Sequence, residues 1–143
     1  MTVIHDLISS ISAGQLISES TFDHEDLDPV LDERDKDDFD AEWSRCNDEV
    51  QAMLSEASLS EQDDEALDEL AQRSFMAVSE PTDQHDIASY VSDDFRLIGE
   101  ALLVGYEDQW LSGLLTEYVE GRIPHGDLTP VHTPLASVAE RLR

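Results

Sequence analysis

The chain has one cysteine, Cys46, among 143 residues. A single cysteine closes no internal disulfide, which excludes a secreted, disulfide-stapled scaffold. Cations are scarce: 8 Lys and Arg stand against 34 Asp and Glu. Such a surface repels nucleic acid and anionic membranes, and it offers little with which to grip an anionic substrate. Long apolar runs are missing too. No window approaches the ~20 apolar residues of a membrane span. The N-terminus from Met1 to Asp6 shows neither the basic stretch nor the apolar run of a signal peptide. These absences together point to a cytoplasmic protein. Period-2 alternation, fixed-period repeats and low-complexity linkers are also lacking, so neither a sheet protein nor a repeat array is expected.

What is present is helical periodicity. Val3, Ile4, Leu7, Ile8 and Ile11 share one face of a helix over 2–18 that Gly14 can end. Residues 19–38 read as an acidic loop, with Pro29 opening a short helix around 28–34. Phe39, Trp43, Cys46, Val50, Met53, Leu54 and Ala57 form the apolar stripe of a helix over 37–57. Ser60 is placed as the N-cap of the next helix, with Glu61, Asp63, Asp64 and Glu65 in its positive first turn. That helix should run to Ser79 and break at Glu80, Pro81 and Thr82. Thr82 then caps a helix ending at Gly105, with Ile87, Tyr90, Val91, Phe95, Ile98 and Leu102 inward. A further helix spans 107–120 and stops at Gly121 and Pro124. The expected fold is all-α: five or six helices bundled in one acidic domain over 1–124, followed by a C-terminal tail over 125–143 that can form a short helix after Thr133.

Candidate chemistry is thin. The acidic run from Asp32 to Glu42 lacks the glycine that an EF-hand needs at its sharp turn, and Phe39 fits a helix better than a loop. His5, His24, His85, His125 and His132 form no i, i+3 or i+4 pair, and Cys46 is not near them in sequence, so no metal site is expected. Asp63-Asp64 and Asp93-Asp94 read as solvated helix faces; a catalytic pair needs two carboxyls in unlike environments. No nucleophile elbow or phosphate-binding glycine loop occurs. The expectation is a protein that is not an enzyme and carries no cofactor. The aromatic residues read as packing, with Tyr106 the one expected at the surface, and Cys46 reads as a small core residue.

The net charge is −26, and it is concentrated: residues 19–69 hold 21 acids against 3 bases. On a helix, like charges at i and i+4 stand ~6 Å apart along the axis. Two phosphate steps along one DNA strand advance about 7 Å. Acidic helices can therefore imitate a phosphate backbone, although like charges stacked in this way destabilise the helix that carries them. In size, helicity and the acids of 19–69, the chain resembles the acidic DNA-mimic inhibitors of phages and plasmids. The resemblance implies an inhibitor that occupies the DNA groove of a basic DNA-binding protein or nuclease and binds no nucleic acid itself. The candidate contact residues are Asp23, Glu25, Asp26, Asp28, Asp32, Glu33, Asp35, Asp37, Asp38, Asp40, Glu42, Asp48, Glu49, Asp63, Asp64, Asp68 and Glu69. The alternatives are an immunity protein that neutralises a basic toxin, and an acidic helical adaptor or structural protein. A homodimer through the mildly charged helix over 107–120 would lengthen the acidic surface.

Overall fold

The computed structural model describes residues 2–13, 16, 32, 34, 36–126 and 128–140. Among the described residues there are six helices and no strand. They are α1 (Thr2–Ser12), α2 (Asp37–Glu56), α3 (Glu61–Thr82), α4 (His85–Val104), α5 (Gln109–Val119) and α6 (Leu135–Glu140). The expected Gly14 stop lies outside the described residues, as does the 28–34 helix apart from Asp32 and Arg34. The helix expected over 2–18 ends at Ser12.

The helix ends follow from short polar side chains. Ser60 Oγ accepts from the Asp63 backbone N–H at 3.1 Å, and the Asp63 carboxylate accepts from the Ser60 N–H at 3.3 Å. This reciprocal capping box opens α3. Pro81 does not break α3 where expected. It sits in the last turn, and the helix closes at Asp83, whose φ of 56° is left-handed and whose N–H donates to the Ser79 carbonyl at 2.9 Å. Thr82 is not the cap of α4: its hydroxyl donates to the Val78 carbonyl and accepts from the Gln84 N–H, bridging the turn. At the far end of α4, Gly105 adopts a φ of 74°, a conformation open to glycine without a Cβ penalty. Asp108 caps α5 by accepting from the Trp110 and Leu111 N–H groups.

The antiparallel pair α3 and α4 is the most extensive helix contact; α1 lies on α3, α2 on α4, and α6 on α5. Leu67, Leu70, Phe95, Ile98, Leu111, Leu114 and Tyr118 fill the shared core together with Ile4 and Leu7. Gly99 lets α3 approach, because a Cβ there would stand 2.9 Å from the methyl groups of both Leu67 and Leu70. On α2 the apolar stripe is buried at Phe39, Cys46 and Val50, but Met53 and Ala57 are exposed. Leu54, in the last turn, is half-buried against the core, and Ala57 lies just past the helix end.

The tail is part of the packing. Leu135, Val138 and Ala139 are buried. The Leu135 N–H donates to the Glu107 carboxylate, and the Val131 N–H donates to the Gln109 carbonyl. At the crossing, a Cβ on Gly113 would stand 2.5 Å from the Thr129 carbonyl oxygen. That obstacle is backbone, whereas Gly99 meets only the ends of flexible leucines. Alanine in place of a helical glycine gains about 1 kcal/mol in propensity, and overpacking costs about 1–3 kcal/mol. Gly113→Ala should therefore lower the thermal midpoint while Gly99→Ala stays closer to the parent, as measured by circular dichroism melts of both variants.

Candidate partner-binding face

A buried charge network organises the candidate face. Arg34 and Asp94 are both buried, and their side chains form a fork-to-fork pair with two contacts of 2.7 Å. Three further groups complete the network. Tyr118 donates its hydroxyl to Asp94 at 2.6 Å, Trp43 donates its indole N–H to Asp94 at 2.9 Å, and Arg34 donates to the Pro124 carbonyl at 3.2 Å. The Arg34 guanidinium also lies over two rings, 4.6 Å from the centre of Phe39 and 5.0 Å from that of Tyr90. Burial opposes its charge, yet Asp94, by proximity and hydrogen bonding, holds the Arg34 pKa above its ordinary value. Burial first, and then the Asp94 charge, raises the Tyr118 phenol well above its usual range, so it remains a donor. Asp94 is thus no solvated helix face, as the sequence reading had it. It is fully buried and satisfied from α2, α5 and the segment before α2.

Above this network α2 and α4 leave an open groove. At one end is a pocket of about 170 Å³ lined by Arg34, Phe39, Asp40, Trp43, Tyr90 and Asp93. It continues past Trp43 and Asp93 into a shallower depression of about 330 Å³, lined also by Asn47, Gln51, Arg96, Leu97 and Glu100. That far end is internally paired. Gln51 donates to Glu100 at 3.2 Å, and Arg96 pairs with Asp68 of α3 at 2.9 Å and with Glu100 at 4.0 Å. Asp93 differs from its buried neighbour. It is exposed at its edge, but partial burial first and the adjacent Asp94 second push its pKa above the ordinary aspartate value, with Arg34 partly offsetting them.

A second network fixes the other flank of α2. Arg45 reaches Glu42 at 3.0 Å, Asp108 at 3.0 Å and Glu49 at 3.6 Å. Asp108 also accepts from the Cys46 thiol at 3.3 Å. Burial, followed by Asp108, pushes that thiol up to about 12, so Cys46 is a core residue and not a reactive one. Tyr106, expected at the surface, is half-buried and donates to Glu49.

The candidate contact residues accordingly divide. Asp23, Glu25, Asp26, Asp28, Glu33 and Asp35 lie outside the described residues, and of Asp37 only the backbone is described. Asp32, Asp38, Asp40, Asp48 and Asp64 are exposed. The others already have intramolecular tasks: Glu42 and Glu49 hold Arg45, Asp63 closes the capping box, Asp68 pairs with Arg96 and Glu69 with Arg73. The sequence reading missed Arg34, Tyr90, Asp93, Asp94 and Asp108. One signal was available: Asp94 falls between Val91 and Ile98 at i+3 and i−4, on the inward stripe of α4. The helix proposed as a dimer contact, α5, spends its apolar face inside the chain, where Trp110, Leu111, Leu114, Leu115 and Tyr118 are buried.

The described residues thus form an all-α bundle in which the acidic helix α2 borders an open groove. The family model for immunity protein PIM1 matches residues 6–125. The chain belongs to the PIM1 immunity protein family, and so to the immunity-type inhibitors. No curated protein matches it. The match covers α2 to α5 in full and most of α1. No helix among the described residues is long and apolar enough to cross a membrane.

The Arg45 network has a measurable consequence. Burial raises the Asp108 pKa, but the hydrogen bonds from Arg45 and the Leu111 N–H outweigh it and set the value below 3.8. A carboxylate whose folded pKa is depressed contributes stability above its unfolded value and loses it as pH falls through the folded one. Carboxyl-carbon NMR should therefore find Asp108 titrating below 3.8, and Arg45→Gln should move that titration upward. An unchanged midpoint would remove Arg45 as the cause.

Proposed function

We propose that this protein neutralises a basic toxin by binding it directly, with the acidic surface of α2 and the α2–α4 groove as the contact. The observation that carries the reading is the match of residues 6–125 to an immunity protein family. The chain's charge supports the sign of the partner: at −26 it favours a cationic surface and speeds encounter with one. No built catalytic pair competes with this reading at the groove. Asp94 is locked by four donor groups from Arg34, Trp43 and Tyr118, and across the groove Asp93 has the exposed Asp40 carboxylate but no Ser, Thr, Cys or His among the described lining residues. The exposed Asp38, Asp40 and Asp48 on α2, with the acids of 19–35, form the electrostatic part of the contact. Imitation of a DNA backbone would be one way for such a surface to meet a nuclease toxin. The family match favours toxin neutralisation as the function, whatever the toxin's substrate.

The test is capture followed by a growth assay. The tagged chain is used at low salt to retain partners from bacterial cells, and each retained protein is expressed with and without it. A retained protein that arrests growth alone and is harmless when co-expressed with this chain is the expected result. Partners that leave growth unaffected, or an arrest that co-expression does not relieve, would contradict the proposal. The acids should act as a cluster. Asp35→Asn alone should change little, whereas neutralising Asp35, Asp37, Asp38 and Asp40 together should weaken toxin binding at least tenfold with the helical spectrum intact. Normal binding by the fourfold variant would show that shape, not charge, selects the partner.

A further inference from the structure

We infer that the pocket between α2 and α4 lined by Phe39, Asp40, Trp43, Tyr90 and Asp93 receives a single arginine side chain of the partner. The inference rests on the toxin-binding reading for the source of that side chain, but the pocket chemistry stands on the structure.

Three features select a guanidinium. The walls are aromatic: the half-buried Trp43 and Tyr90 border the pocket, with the buried Phe39 beneath Arg34, and flat π-faces attract cations, the planar guanidinium above all. The rim carries two carboxylates from facing helices, Asp40 on α2 and Asp93 on α4, able to accept the forked N–H groups that an arginine presents. The floor holds an arginine already. Arg34 stacks on Phe39 and Tyr90, so this environment demonstrably accommodates a guanidinium, and its charge is matched by Asp94 in a two-contact pair. With Arg34 and Asp94 offsetting each other, the described lining residues leave Asp40 and Asp93 as the unbalanced charges.

The contrast with the neighbouring acids strengthens the assignment. Glu42, Glu49, Asp68 and Glu69 are each paired with an arginine of this chain. Asp93 is not paired directly with any cation among the described residues and sits partly buried beside the buried Asp94, a position that penalises its charge. A cation entering the pocket relieves that penalty. A carboxylate that works against the fold but faces an open aromatic pocket has the character of a binding residue.

The experiment uses ethylguanidinium chloride as the probe on the full chain, read by the indole N–H resonances of Trp43 and Trp110. Trp43 lines the pocket, whereas Trp110 is buried against Phe39 and does not line it. The two signals are assigned by Trp43→Phe. At constant ionic strength, the Trp43 indole should shift saturably while Trp110 follows only weakly, and ethylammonium chloride should bind at least tenfold more weakly. The double variant Asp40→Asn, Asp93→Asn should lose the saturable shift while melting no lower than the parent. A linear, non-saturating shift like that given by sodium chloride, equal binding of ethylammonium, or a saturable shift that survives in the double variant would each overturn the inference. Because no toxin takes part, a negative result here leaves the growth-assay outcome untouched. A failed growth assay likewise leaves the probe measurement standing.

Discussion

The fold of this strongly acidic chain turns on one buried ion pair. Moving a carboxylate and a guanidinium out of water costs several kcal/mol for each ion, recovered only when the geometry is good and the remaining polar atoms are satisfied. Arg34 and Asp94 come close to that condition through the two-contact fork, Trp43, Tyr118 and the Pro124 carbonyl. One orphan remains, the Arg34 Nε–H, the buried side-chain N or O atom without a partner among the described residues. The pair ties together the segment before α2, helix α4, helix α5 and the turn after α5. It also sets the Trp43 indole in place, and with it one wall of the groove. A hydrophobic pair could fill the same volume at no electrostatic cost, but it would not fix these four elements by directional bonds.

The distribution of cations follows the same logic. Every arginine among the described residues is paired with a carboxylate: Arg34 in the core, Arg45 at the start of α5, Arg73 on α3, Arg96 across α3 and α4, and Arg122 after α5. Arg34, Arg45 and Arg96 join separate elements, Arg73 and Arg122 pair locally, and no direct arginine pair holds Asp38, Asp40, Asp48 or Asp93 among the described residues. The remaining negative charge works against compactness. On α2 that charge stands beside a groove with aromatic walls, the surface that the proposed cationic partner would meet.

Much of the architecture was legible in the sequence, because caps and periodicity are local. Ser60 and Gly105 marked boundaries of α3 and α4, and the stripes of α4 and α5 gave their inward faces. The failures have a common physical source. Periodicity shows that a face is buried, but not what lies against it. Asp94 sat on an apolar stripe and was read as solvated because its partner, Arg34, is 60 residues away in an acidic run. Pro81 lacks an N–H, but the last turn of α3 tolerates that loss because Asp83 takes the left-handed cap and Thr82 bridges the turn. Periodicity gave no sign that Gly113 admits the tail backbone or that the expected dimer face of α5 is interior. The acids themselves were visible individually, but their division into paired and exposed sets required the positions of five arginines.

The chain belongs to the PIM1 immunity protein family, and its acidic helix α2 borders a pocket with aromatic walls; as proposed, the two belong to a small helical inhibitor that would meet a basic toxin along α2 and α4. Hydrogen exchange on the chain, with and without its captured toxin, tests this most directly. The account predicts that protection gained on binding concentrates in 37–56 and 90–100, the residues that build the groove. Protection confined to α5 and α6, with α2 exchanging as in the free protein, would contradict it.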